Sequence, residues 1–176
     1  IGRDTYGDGK ISADVLDRIC EVLTAFAGIL KEYRVSTVRA VATSAVREAK
    51  NCSMVLDQIR VRTGFEVAAL SNSEQRFLRL KGAASQNSVY RLLEKGTLFV
   101  DIGSGSLQVS IFEKMTLMTT QNISLGASRL DEMYTGPHEN VTTMETMLKE
   151  LIDNDIQTFE KMFLKEREIK NVIIVG

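Results

Sequence analysis

The chain has 176 residues, 44% of them hydrophobic and 26% charged, with 12 Gly, 1 Pro, 2 Cys and no Trp, close to the average for globular proteins. Its 22 Lys and Arg against 23 Asp and Glu leave a formal net charge of −1, so no overall basic field holds a polyanion such as duplex nucleic acid, and any anion must be caught locally. Apolar runs such as Val172 to Val175 fall far short of the roughly 20 residues a membrane span needs, and Cys20 and Cys52, without Cys-x-x-Cys spacing, read as reduced core thiols of a cytoplasmic chain rather than a disulfide or metal framework.

The length fits one domain or two small ones. Two features read as a piece cut from a longer protein: the opening Ile1-Gly2-Arg3-Asp4 carries no Met, and Val172-Ile173-Ile174-Val175-Gly176 reads as a buried strand running into a glycine turn. After the turn-like Tyr6-Gly7-Asp8-Gly9, Ser12 is a natural N-cap. Val15, Ile19, Val22, Leu23, Phe26, Ile29 and Leu30 then recur at three- and four-residue spacing, which predicts an amphipathic helix. Thr37 to Thr43 reads as a short buried strand entering a helical stretch, Ser44 to Asn51. A helix over about 53–62 is closed by Gly64, and Phe65 to Leu70 is the next strand. Ser71 and Glu74 have capping-box spacing for a helix over about 73–84.

From Gly96 the pattern changes. Thr97 to Val100 is a strand that delivers Asp101-Ile102-Gly103-Ser104-Gly105-Ser106, and Leu107 to Phe112 and Leu117 to Ile123 alternate as two further strands, an antiparallel meander. Leu125 to Leu130 opens a short helix. Thr142 to about Lys165 carries Met144, Met147, Leu148, Leu151, Ile152, Ile156, Phe159 and Phe163 on one helical face and leads to the last strand. Three strands, two helices and a strand make a ribonuclease-H-like half. The seven Met residues mostly read as core packing.

Three stretches carry chemistry. The Asp101-to-Ser106 loop joins a carboxylate at a strand end to alternating Gly and Ser. Such a loop can turn with positive φ and aim successive N–H groups into one concavity for phosphate oxygens, while Asp101 can hold Mg²⁺. An ordinary hairpin turn has the same composition. Thr43 to Arg47 lies at a strand–helix junction, where Arg47 can make bidentate bonds to phosphate or stand as a solvated surface residue. Ser71 to Arg76 also follows a strand, and capping explains Glu74 without chemistry. His138, after Pro137, is assigned no role and is expected to be exposed.

Five segments taken in order, Val41 to Asn51, Leu70 to Gly82, Val100 to Val109, Ser124 to Leu130 and Val172 to Gly176, resemble the exopolyphosphatase and guanosine pentaphosphate phosphohydrolase (Ppx/GppA) family. The resemblance implies an α/β, ribonuclease-H-like fold of the actin-like ATPase superfamily in two lobes. Residues 1–95 would be an incomplete first lobe without its N-terminal strands and first phosphate loop, and residues 96–176 a second lobe truncated at its C-terminus. It implies a bacterial phosphohydrolase that releases terminal orthophosphate from inorganic polyphosphate or guanosine pentaphosphate, with Mg²⁺ as cofactor, no membrane partner and a homodimeric assembly. A piece lacking one wall of the cleft is expected to hydrolyse poorly or not at all. Residue by residue, the resemblance puts Mg²⁺ on Asp101 and phosphate on Arg47, Gly103, Ser104, Gly105 and Ser106. It places the general base at Glu74, or at Gln75 after a one-residue shift. Ser104 stands where the family has a third glycine, and Ser106-Leu107-Gln108 where it has Ser-Thr-Glu. Gln75 and Gln108, standing where the family has acidic residues, motivate the alternative, a non-catalytic phosphate or nucleotide sensor on the same scaffold.

Overall fold

The computed structural model describes residues 1–85, 87–134 and 141–176. The chain forms two compact units, Ile1–Gln75 and Arg76–Gly176. The sequence expectation put the division at 95/96. It falls earlier because Leu80, Ala83 and Ala84 of the helix after residue 71 pack with Leu93, Phe99 and Phe112 of the second unit.

The first unit opens with a π-helical turn, Asp4–Asp8, closed by Gly9 at φ +76°. Helix α1 (Ala13–Glu32) comes next, and the Ser12 side chain caps it by accepting from the Val15 amide. Strand β1 (Ala40–Ala42), helix α2 (Ser44–Arg47), helix α3 (Cys52–Thr63) and strand β2 (Val67–Ala69) complete it. Gly64, in the left-handed region at φ +76°, donates to the Arg60 carbonyl and ends α3. The two strands pair in parallel, Ala40 with Val67 and Ala42 with Ala69. The core is built from Ile11, Leu16, Cys20, Val46, Ala49, Val55 and Ile59.

Two expectations change here. Helix α2 is a single turn, not a helix to Asn51, because the chain leaves it to bond the N-terminal segment. Lys50 donates to the Gly9 carbonyl, and the Asn51 amide bridges both backbone groups of Ile11, at 3.0 and 2.8 Å. The stripe on α1 is also only partly buried: Val15, Ile19 and Leu23 pack on the core beside Leu16 and Cys20, which lie outside the stripe and are buried, while Val22, Phe26 and Ile29 are exposed.

The second unit is a four-stranded sheet in the order β5-β4-β3-β6. Its strands are β3 (Thr97–Ile102), β4 (Leu107–Glu113), β5 (Thr116–Ile123) and β6 (Asn171–Val175). The first three are antiparallel neighbours and β6 joins β3 in parallel, the ribonuclease-H-like arrangement read from the sequence. One face packs Val109, Ile111 and Ile123 against Phe159, Ile152 and Phe163 of the long C-terminal helical segment. That segment is helix α7 (Val141–Phe159) plus a π-helical turn, Glu160–Leu164. The other face receives helix α4 (Asn72–Ala84) through Leu80, Ala83 and Ala84, and Leu93, just after helix α5 (Asn87–Leu92), is buried there too. There Phe99 and Phe112 meet edge to face with centroids 6.5 Å apart, a contact that adds about 1 kcal/mol to their burial. Helix α6 (Ala127–Tyr134) comes after β5.

The sequence reading passed over α5, whose Val89 and Leu92 carry helical spacing in too few residues to stand out. Met115 packs as expected, but Met54, Met118 and Met162 are exposed. The side chains of Met144, Met147 and Leu148, and all of Pro137 and His138, lie outside the described residues. Both cysteines are free thiols, Cys20 buried and Cys52 half-buried, and no helix among the described residues is long and apolar enough to cross a membrane.

Candidate functional site

In the first unit, parallel pairing of β1 and β2 puts α2 and the start of α4 at the same strand ends. Arg47, the last residue of α2, crosses between them. Its Nη1 donates to the Leu70 carbonyl at 2.6 Å and to Gln75 Oε1 at 3.2 Å, and Nη2 donates to Asn72 Oδ1. Glu48 Oε1 lies 3.7 Å from Nη2. The side chain is 18% exposed, so the guanidinium is a cross-tie of the 70–75 segment rather than the solvated surface residue that was its plain alternative. Gln75 is thereby fixed by Arg47.

Glu74 forms the capping box that its spacing predicts. Its Oε2 accepts from the Ser71 amide at 2.8 Å and the Ser71 hydroxyl at 2.7 Å, while the Glu74 amide donates to Ser71 Oγ at 3.2 Å. These bonds, from the Ser71 amide first and its hydroxyl second, hold the Glu74 carboxyl below the ordinary glutamate range, and Arg39 adds a smaller attraction.

In the second unit, the loop 103–106 joins β3 to β4. The Gly103 amide donates to the Ser106 carbonyl at 2.9 Å, closing the turn. The loop's carbonyls are taken up by the start of α6. Gly103 O accepts from the Ala127 amide at 3.1 Å, Ser104 O from the Ser128 amide at 2.8 Å, and Gly105 O from Arg129 Nε at 3.1 Å. Among the described residues, the amides of Ser104, Gly105 and Ser106 donate to no backbone carbonyl, and Gly105 and Ser106 are buried. The loop thus turns its carbonyls to α6 and keeps three backbone donors for an acceptor, the arrangement an oxyanion needs.

The loop glycines do not turn in the way expected. No loop residue has positive φ. What the loop requires is room: a Cβ on Gly126, in the Ser124-to-Leu130 segment, would lie 2.3 Å from backbone atoms of Gly105 and Ser106, so the two backbones touch where no side chain fits.

Asp101, the last residue but one of β3, is 3% exposed. Its Oδ1 accepts from Arg79 Nη1 of α4 at 2.7 Å. Burial pushes its carboxyl above the ordinary aspartate range, with Arg79 pulling the other way. Mg²⁺ takes near-octahedral oxygen ligands, one or two carboxylates together with water and substrate phosphate, and so needs a carboxylate oxygen that is free to face it. The donor set here is one sunken carboxylate already bonded to a guanidinium. As arranged, these residues do not fit Mg²⁺.

The structure therefore brings Arg47, Glu74 and Gln75 together in the first unit, and Asp101 and Gly103 to Ser106 together in the second. The sequence reading missed Arg79. Its signal was a pair of arginines, Arg76 and Arg79, one turn apart on a helix whose other inward residues are apolar. A model of the Ppx/GppA phosphatase family matches residues 1–174. The chain belongs to the Ppx/GppA phosphatase family. Exopolyphosphatase 1 of Mycobacterium tuberculosis is 29% identical over 152 residues, which are 86% of this chain and 43% of that relative. Retrograde regulation protein 2 of Saccharomyces cerevisiae is 26% identical over 111 residues, 61% of this chain and 18% of that one. Among solved structures, an exopolyphosphatase from Cytophaga hutchinsonii has a TM-score of 0.75 at 26% identity, covering 96% of this chain and 53% of the other. The Aquifex aeolicus Ppx/GppA phosphatase, at 20% identity and a TM-score of 0.63, shares the fold over 99% of this chain and 55% of its own. The chain thus spans about half the length of the curated relatives and solved structures named as exopolyphosphatases.

Proposed function

We propose that the protein to which this chain belongs is a phosphoanhydride hydrolase that releases terminal orthophosphate from inorganic polyphosphate, with guanosine pentaphosphate as a second substrate. The observation that carries this reading is the 103–106 loop, whose Gly103, Ser104 and Gly105 carbonyls bond α6 while the amides of Ser104, Gly105 and Ser106 donate to no backbone carbonyl among the described residues. Membership of a phosphatase family, together with relatives named as exopolyphosphatases, supports a terminal phosphate as the anion. The loop amides and the Ser104 and Ser106 hydroxyls hold the phosphate oxygens. A water attacks the terminal phosphorus, the anhydride P–O bond breaks, and the electron pair leaves on the shortened chain. The water's proton passes to a base, the role assigned to Glu74. In a loose transition state, positioning and charge neutralisation carry most of the rate.

Orthophosphate release from both substrates by the intact protein tests this. Glu74→Gln should lower it by ~10²–10⁴ if the carboxylate takes the proton. Ser71→Ala, which removes the cap partner and leaves the carboxylate in place, should change it far less. Equal losses in the two variants would leave Glu74 with its capping role alone, and no release by the unmodified protein would remove the hydrolase reading. A second reading is a phosphate or nucleotide sensor without turnover. The engagement of Glu74 by Ser71 and of Gln75 by Arg47 favours it, and it requires calorimetric binding of the same compounds without release.

A further inference from the structure

On the α4 side of the second unit's sheet, the apolar surface of Phe99 and Phe112 gives way to polar side chains toward the loop. Asp101 and Gln108 are register partners, and Ser110 lies next on the same face. All three are buried, at 3%, 4% and 1% exposure. Helix α4 meets this patch with two arginines one turn apart. Arg76 Nη1 donates to Thr120 Oγ1 at 3.2 Å, which lies 3.0 Å from Ser110 Oγ. Arg79 Nη1 donates to Asp101 Oδ1 at 2.7 Å. A carboxylate withdrawn from water must be compensated by an opposite charge or by hydrogen bonds, and the compensation here is a guanidinium from the helix above. The Arg79 side chain is 38% exposed, while that of Asp101 is 4% exposed, so the pair reaches from the buried strand end to solvent.

We infer that Arg79 is the resident counter-charge of Asp101. It occupies on the loop's carboxylate the place a divalent cation would take, and it is a positioning residue that fixes the strand end from which Gly103 to Ser106 departs. A guanidinium has further N–H donors in a planar fork suited to phosphate. One edge is engaged by Asp101, and the partly exposed remainder adds a fixed positive charge beside the loop without any metal. A cation reaches Asp101 only after Arg79 withdraws. This rests on the loop being an anion site for its consequence, but the pairing is tested without substrate, so it stands or falls separately from the hydrolase reading.

The experiment is equilibrium binding of Mn²⁺ alone to the intact protein, read from the free Mn²⁺ electron paramagnetic resonance signal. The unmodified protein and Asp101→Asn should bind Mn²⁺ equally weakly. Arg79→Met should bind it at least tenfold more tightly, and the gain should vanish in Arg79→Met combined with Asp101→Asn. A purely structural role for Arg79 would not create a metal site. Arg79→Lys, which keeps a cation over the carboxylate, should stay at the unmodified level. Tight Mn²⁺ binding by the unmodified protein that Asp101→Asn abolishes would overturn the inference, and that comparison needs no Arg79 variant to fold. An unchanged affinity in a folded Arg79→Met would overturn it as well.

Discussion

The two units hold a polar segment at the end of a β-strand by different means. In the first, β1 and β2 are three residues each, too short to fix the chain beyond their ends, and the 70–75 segment is held by a side chain, Arg47. In the second, strands of six to eight residues form a hairpin on each side of β4, and the 103–106 loop is held by backbone contacts with α6 and by the absence of a side chain at Gly126. A short parallel pair relies on a long, many-donor side chain, whereas a loop between two longer inner strands is fixed mainly by backbone approach, with Arg129 adding one side-chain bond to Gly105. The glycines divide accordingly. Gly64 of the first unit has φ +76° with open space around it, while Gly126 has ordinary φ and no space at all.

Breaking the backbone contact should have the largest effect. In Gly126→Ala the added carbon meets backbone rather than a movable side chain, so the loop must shift. The cost should be about 3 kcal/mol, the upper end for overpacking, with anion binding at the loop lost. Gly64→Ala should cost only about 1–2 kcal/mol, the strain of a left-handed alanine. Urea unfolding measures both, and a Gly126→Ala cost below that of Gly64→Ala would remove the distinction between the two kinds of glycine. Next in size is the side-chain tie. Arg47→Ala removes donors from the Leu70 carbonyl, Asn72 and Gln75 and should cost about 2 kcal/mol. Arg47→Lys should not restore it, since one ammonium cannot span three acceptors held by a planar fork. Full rescue by Lys would mean that only the charge matters.

The difference between the units also governs what the sequence made legible. Local signals were read correctly: Ser12 as a cap, Gly64 as a terminator, the Ser71–Glu74 box, and the antiparallel meander of β3, β4 and β5. Each depends on residues within a few positions of one another. What escaped depends on distant residues. The early end of α2 is dictated by Ile11 bonding Asn51, forty positions away, and the place of the unit division by α4 packing on Phe99 and Phe112. Of the site, the loop and its location at a strand end were legible. The engagement of Arg47, Glu74 and Asp101 was not, because spacing says which residues reach a locus and not which protein groups they bond first. Positive φ at the loop glycines is not found, and the glycine that makes room, Gly126, lies twenty positions further on, where composition gives no sign of the contact.

Acid should separate the units more gently. Asp4 accepts from the Ser12 hydroxyl and amide, at 2.6 and 2.8 Å, and its carboxyl lies below the ordinary range for that reason; that of Glu74 is lowered by Ser71 in the same way. A lowered carboxyl stabilises the fold above its unfolded value and loses that contribution as pH falls through the folded one, so both caps should weaken below about pH 4. Asp101 runs the other way. Raised mainly by burial, it favours the fold when protonated, and that contribution is lost as pH rises from about 4 through its folded value. Carbon-13 titration of the carboxyls in the intact protein should find Asp4 and Glu74 below their ordinary values and Asp101 above its own. An Asp101 that titrates below Asp4 would mean that Arg79 outweighs burial.

The smallest expected effect concerns a turn that serves the second unit's sheet. The β4–β5 hairpin turns through Lys114 and Met115 at φ 49° and 64°, a geometry that two-residue hairpins normally give to Asn and Gly. Two backbone bonds offset the strain, because the Lys114 amide donates to the Glu94 carbonyl at 3.1 Å and the Met115 amide to the Leu93 carbonyl at 3.0 Å. The turn is therefore set by the segment after α5 rather than by its own residues, which is why the sequence carries no turn signature there. Lys114 is exposed, so Lys114→Asn keeps both amide bonds, removes part of the left-handed strain and should stabilise the unit by about 0.5 kcal/mol. Met115 also fills the α4-facing core, so Met115→Gly relieves strain and empties a packed position at once and should be destabilising by about 2 kcal/mol. Opposite signs at adjacent residues of one turn, measured by urea unfolding, are what a backbone-held hairpin requires; a loss at Lys114→Asn would mean that the lysine side chain itself holds the turn.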